Sequence, residues 1–220
     1  MSATRRRVTL AIAALPAALL LPAISRGQAP ARLRENLEYR SIKPLPVATA
    51  SRVEVIEFFW YGCPHCNNLQ PSLEAWLKRK PADVEFRRIP AVFRQSWVPH
   101  ARIFYTLETL GELERLHQSV YRAIHADKEA IDSTGGSAEW AAKNGVDRAR
   151  WIAAFESGDV TRKVEQAVLA TRAYQIEGTP SLVVDGRYIT SSAMAESMPG
   201  VISNLDGLIA MAREQRAAGK

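Results

Sequence analysis

Val53-Glu54-Val55-Ile56-Glu57-Phe58-Phe59-Trp60-Tyr61-Gly62-Cys63-Pro64-His65-Cys66 is the stretch around which this chain is organised. Its first half is a run of strand formers. The end of that run is apolar nearly throughout, as expected of a strand covered on both faces. A helical pattern follows, with Cys66, Leu69, Leu73, Trp76 and Leu77 on one face of a helix expected from Pro64 to Lys80. Cys-x-x-Cys therefore falls where a buried strand gives way to a helix. Pro64 suits the first helical turn, where its missing N–H has no partner to lose. Cys63 sits by the helix N-terminus, where unpaired N–H groups and the helix dipole favour a thiolate. The pattern points to dithiol redox chemistry. Pro71, further along, is expected to kink the helix.

The bulk composition is that of an ordinary globular protein: 220 residues, 47% hydrophobic and 24% charged. The formal charge of +6 overstates its basicity. Arg5, Arg6, Arg7 and Arg26 lie in a segment, residues 1–31, that reads as a cleaved export signal. Arg5 to Arg7 form its positive end and Val8 to Leu21 its short apolar stretch. Ala29-Pro30-Ala31 or Ala23-Ile24-Ser25 would be the cleavage site. Without those four arginines, 25 basic residues face 23 acidic ones. No basic helix is interleaved with aromatics, so nucleic acid is not an expected partner. The signal implies an oxidising compartment, in which cysteines usually form structural bridges. The only two cysteines here enclose a very small ring. Such a ring restrains almost no chain, so a structural staple explains it poorly.

The rest of the chain alternates and then turns helical. Tyr39 to Ile42 fits a short edge strand ended by Pro44 and Pro46, and Asp83 to Ile89 alternates as another strand. Residues 97–174 read as an inserted block of helices. Asp147 is expected to cap one helix, Asp159 the next, and Ser133-Thr134-Gly135-Gly136-Ser137 to be a flexible joint. Ser181 to Val184 and Arg187 to Thr190 form a hairpin through Asp185-Gly186, a type I′ turn signal. A last helix carries Val201, Ile202, Leu205, Leu208 and Ile209 on one face.

This order of elements, with Cys63-Pro64-His65-Cys66 after a buried strand, resembles the thioredoxin fold. The large helical insertion before the final hairpin resembles the DsbA family of bacterial periplasmic thiol:disulfide oxidoreductases. Glu57-Phe58-Phe59 before the motif and Gly178-Thr179-Pro180 before a strand are similar to that family. The expected fold is therefore α/β: a thioredoxin-like domain from residues 32–96 and 175–220, interrupted by a helical domain at 97–174. The chain departs from the family in its neutral Asn67, Asn68 and Gln70, where acidic residues are often found, and in Thr179.

The resemblance implies a periplasmic enzyme that donates its disulfide to newly exported proteins. It implies a membrane quinone-linked oxidase of the DsbB type as reoxidant. Cys63 would be the attacking and leaving sulfur, and Cys66 the resolving one. Pro64 and His65 would tune them. Pro180 would be cis and face the cysteines, with the Thr179 backbone free to pair with substrate; from the residues alone, Pro180 also suits an ordinary strand start. Glu57, flanked by Ile56 and Phe58, is expected near the core, where a raised pKa would let it exchange a proton with Cys66. Arg88 is either its counter-charge or part of a solvated edge. Trp60, Tyr61, Tyr188, Met194 and Met198 either line an apolar groove for substrate or pack in the core.

His100, His117 and His125 show no partner pattern and receive no role. No second cysteine pair exists to complete a zinc site. Residue 67 is Asn, which excludes Cys-x-x-Cys-His haem attachment, and no cofactor is expected. A monomer is expected, with no dimerisation module apparent. The alternatives are a reductase or isomerase of the same fold, and a metal- or haem-assembly chaperone using the dithiol as a ligand pair.

Overall fold

The computed structural model describes residues 32–49 and 51–219, so the expected export signal lies outside the described residues. Arg32–Lys220 forms one compact unit. Its centre is strand β2 (Val53–Phe59), in which every residue is buried. Among the described residues, five strands form one mixed sheet. In spatial order they are β1 (Arg40–Ser41), β5 (Tyr188–Ser191), β4 (Ser181–Val184), β2 and β3 (Val84–Pro90). β2 and β3 are parallel; the other pairs are antiparallel. The β2–β3 connection is α1 (Pro64–Arg79), as a parallel crossover requires. The helix continues through Pro71, whose missing N–H leaves the Asn67 carbonyl without its in-helix donor.

Alternation along β2 sends side chains to two separate cores. Val53 and Val55 pack with Leu69, Leu73 and Trp76 of α1, and with Val201, Leu205 and Leu208 of α7 (Met198–Ala218). Ile56 and Phe58 face the helical insertion, packing in a cluster with Phe104, Leu116, Tyr121 and Trp151. Fully burying side chains of this size contributes about 1.5–3 kcal/mol each, which explains why so short a strand organises the molecule.

The insertion comprises α2 (Val98–Leu110), α3 (Leu113–His125), α4 (Thr134–Lys143), α5 (Arg148–Phe155) and α6 (Gly158–Ala173). Asp147 caps α5 as expected, its carboxylate accepting from the Arg150 N–H. Two expectations are corrected. Residues 133–137 are no flexible joint: Ser133 caps α4, its hydroxyl accepting from the Gly136 N–H, and Thr134 to Ser137 are helical. The cap of α6 is Ser157, which accepts from the Val160 N–H; Asp159 already lies inside the first turn. A hydroxyl in the extended backbone just before the first turn outcompetes a carboxylate one residue too late. The hairpin forms as the sequence predicts. Asp185 and Gly186 have φ of 54° and 62°, and the Arg187 N–H donates to Val184 O at 3.0 Å.

Ser157→Ala should therefore destabilise the protein by about 1 kcal/mol in urea unfolding. Asp159→Ala, which removes a first-turn charge and its surface ion pairs with Arg162 (3.2 Å) and Lys163 (3.3 Å), should cost about half as much. The reverse order would return the cap to Asp159.

Candidate active site

Strand β2 ends at Phe59, and a four-residue turn delivers Cys63 to the N-cap of α1 with φ −85° and ψ 118°. Pro64 occupies the first helical position. No acidic residue stands in the first turn, so a thiolate at Cys63 meets no like charge there. Position 62 has room only for glycine. A Cβ there would lie 2.3 Å from the Trp60 indole, which folds back over the turn.

The two sulfurs occupy different environments although they belong to one turn. Cys63 is 7% exposed and Cys66 fully buried. The Cys63 thiol is lowered to about 5. A hydrogen bond from the Cys66 thiol is the largest cause, and burial opposes it. The Thr179 side chain and the N–H groups of Cys66 and His65 add to the lowering. Burial pushes the Cys66 thiol well above its ordinary value, and a neighbouring Cys63 thiolate pushes it further. At neutral pH one sulfur is thus an anion and the other a neutral donor to it.

The cis-proline loop closes the site from the opposite side. The register Phe58↔Ser181 brings the start of β4 beside the end of β2, and the Thr179–Pro180 bond just before it is cis. In its protonated form Cys63 donates from Sγ to Thr179 O at 3.2 Å. A groove of about 380 Å³ runs from His65 along Thr179 and Pro180 to Ser191 and Met194. His65 is exposed at its rim.

Beneath Cys66 lies a buried ion pair. Alternation puts Glu57 on the α1 side of β2, and the parallel register sets Arg88 of β3 directly beside it. Arg88 Nε donates to Glu57 at 2.9 Å, which settles its role as counter-charge. Burial pushes the Glu57 carboxyl up, while Arg88 and then Gln70 pull it down. Gln70 was given no role in the sequence beyond its neutrality. Its Nε2 reaches both Glu57 (3.1 Å) and the Cys66 carbonyl (3.4 Å). Gln118 of α3 donates to Gln70 at 3.0 Å and to Glu74 at 3.1 Å, and Arg88 also holds Glu74. Nothing in the local sequence pattern joins Gln70 to Gln118, because only the packing of α1 on α3 does so.

Of the two readings open for the aromatic and methionine residues, packing describes four of the five. Tyr61 is fully buried, and its hydroxyl meets His117 Nδ1 at 2.8 Å. Trp60 is stacked on Trp97 at 4.0 Å, nearly parallel. Tyr188 packs edge-on against Tyr39, and Met198 lies against the α1–α7 core. Of the five residues only Met194 lines the groove. The histidines left without a role all pack around the active-site turn: His100 over Trp60, His117 on the Tyr61 hydroxyl, and His125 on the Tyr61 carbonyl. Among the described residues, no group of His, Cys, Asp and Glu forms a metal site.

Comparison with known proteins agrees with this geometry. A family model described as thioredoxin matches residues 48–204. The thiol:disulfide interchange protein DsbA of Burkholderia cepacia is 38% identical over 174 residues, covering 79% of this chain and 82% of the relative. That of Azotobacter vinelandii is 34% identical, covering 95% and 98%. Among solved structures, Pseudomonas aeruginosa DsbA superimposes with a TM-score of 0.77 at 35% identity, covering 83% of this chain and 95% of the other.

The asymmetry between the sulfurs has a measurable consequence. Thiolate absorbance of the reduced protein should titrate with one midpoint near pH 5, from Cys63, and no second midpoint below the ordinary thiol range. A folded-state value below the unfolded one stabilises the reduced fold fully above the unfolded thiol value. That stabilisation is lost as pH falls through about 5. Denaturant unfolding of the reduced form should weaken over that window. A Cys63 midpoint in the ordinary thiol range would contradict the assignment.

Proposed function

The chain belongs to the DsbA family of thiol:disulfide interchange proteins, and from that premise we propose that it is a periplasmic oxidase of exported proteins. The observation that carries this reading is the placement of Cys63. Its sulfur lies at a helix N-terminus, lowered to about 5, and 3.2 Å from Thr179 O of the cis-proline loop. A low thiol pKa makes Cys63 a good leaving group and stabilises the dithiol, so the disulfide form is driven to oxidise others.

The exchange runs in two displacements. A substrate thiolate attacks Cys63 Sγ of the oxidised enzyme, the Cys63–Cys66 bond breaks, and the electron pair leaves on Cys66. That sulfur is buried and takes up a proton. Glu57, bridged to the Cys66 backbone through Gln70, is the proposed proton source, with Arg88 holding its carboxylate form. A second substrate thiolate then attacks the substrate's own sulfur in the mixed disulfide, and Cys63 departs as a thiolate. The substrate leaves with a disulfide, two electrons poorer, and the enzyme is left as a dithiol.

The groove beside Thr179 and Pro180 is the proposed seat for an extended substrate segment, aligned along the Thr179 backbone as an added strand. A quinone-linked membrane oxidase of the DsbB type would return the dithiol to the disulfide. Action as a monomer completes the reading.

Two assays test it. Equilibration of Cys63–Cys66 against graded glutathione should give an oxidising potential, whereas a reducing one would favour the reductase reading. In oxidative refolding of a reduced protein, Cys63→Ser should abolish turnover and Cys66→Ser should accumulate mixed disulfides. Glu57→Gln should slow release by about tenfold or more while the fold persists. Full activity of Cys63→Ser would remove the mechanism, and unchanged release in Glu57→Gln would remove the proton role.

A further inference from the structure

The turn that presents Cys63 is held almost entirely by the helical insertion. Trp60 lies against Trp97 at 4.0 Å and against His100 at 5.7 Å. The Tyr61 ring packs against Tyr121 at 5.0 Å and its hydroxyl meets His117. The Tyr61 carbonyl meets His125 Nε2 at 2.7 Å. A carbonyl only accepts, so His125 carries its proton on Nε2 and donates. His125 is the last residue of α3, and its ring is stacked on Tyr121 within the same helix.

This arrangement is polar beyond what packing needs. Trp60 Nε1, His100 Nδ1, His117 Nε2 and the Tyr121 hydroxyl are all buried with no protein partner. Burying such a group without a partner is costly, so an apolar wall would be the more stable way to fill the same space. The polar wall stands against one tripeptide, Trp60-Tyr61-Gly62, directly before the reactive cysteine.

We propose that His125 is a positioning residue of the active site: the Nε2–H it donates to the Tyr61 carbonyl ties the turn carrying Cys63 to the end of α3, so that the helical insertion sets the reactivity of that sulfur. Two effects act in the same direction. The donated hydrogen occupies a carbonyl lone pair two residues from the thiolate and offsets its negative end. It also fixes the 61–62 peptide plane, and with it the backbone angles that seat Cys63 at the N-cap under the N–H groups of His65 and Cys66. The inference rests on Cys63 being the attacking sulfur. Titration of the unaltered protein tests that premise by itself, and the variants are read against it.

The test compares His125→Leu, which removes the donor, with His125→Gln, whose Nε2 can reach the same carbonyl. In the Leu variant the Cys63 thiolate midpoint should rise by about half a pH unit, and the equilibrium with glutathione should shift about threefold toward the enzyme disulfide. The Gln variant should return both to their original values. If the Leu variant does not fold, His125→Phe keeps a ring on Tyr121 without the donor and is read in its place. An unchanged midpoint and equilibrium in the donorless variant, with only a lower thermal midpoint, would reduce His125 to a packing residue and overturn the proposal. A Gln variant that behaves like Leu would overturn it too.

Discussion

The hydrogen bonds that converge on Cys63 are the interaction on which the rest of this structure depends. A thiol in the ordinary range is protonated at neutral pH and is a poor leaving group. Here the Cys66 thiol, the Thr179 side chain and two helix N-terminal N–H groups all favour the anion. The donors come from two decisions of the fold. Cys66 and the N–H groups require a helix that begins at Pro64, and Thr179 requires β4 to start opposite the end of β2. The absence of acidic residues from the first turn leaves those donors unopposed. The neutral Asn67 and Asn68, a departure from the family pattern, are therefore consistent with a strongly lowered thiol.

The same strand that delivers the nucleophile places a carboxyl group near the second sulfur, whose thiol is kept protonated chiefly by burial. Alternation along β2 buries Val53 and Val55 toward α1, and the next residue on that side is Glu57. A carboxylate there has no water to face, and one removed from Arg88 would be costly to bury. Gln70 and Gln118 extend the polar line to α3, so a single band of hydrogen bonds crosses from the sheet through α1 to the insertion. The helical block is thus bound to the reactive end of the sheet by polar contacts on one side of the motif and by aromatic stacking on the other.

Much of this was legible in the sequence where the signal is local. β2, α1 and the Asp185-Gly186 hairpin follow from periodicity and turn chemistry, and the thiol asymmetry follows from the position of each cysteine relative to the helix end. The Glu57–Arg88 pair was one of two readings open for Arg88, and the parallel register of β2 and β3 decides between them. What escaped depends on contacts between distant segments. Tyr61 sits beside a solvent-facing motif, yet α3 covers it completely, and only the tertiary packing of Phe59, His117 and Tyr121 around it decides that. His117 and His125 are eight residues apart on one helix, and nothing in their spacing reveals that both meet residue 61. Asp159 was misread as a cap because composition alone does not fix which of two neighbouring candidates enters the extended conformation before a helix, and residues 133–137 were misread as a joint because two adjacent glycines have low helix propensity.

The indole of Trp60 over Gly62 has a consequence for how sequences of this kind can change. The ring occupies the volume where any side chain at 62 would begin. Positions 60 and 62 therefore behave as one steric unit with a fixed total volume. A large residue at one compels the smallest at the other, and a lineage that filled 62 would first have to empty 60. Since the Trp60 ring also forms the stack with Trp97, such an exchange would propagate into the insertion, and position 97, beyond all of α1 and β3, would drift with the other two.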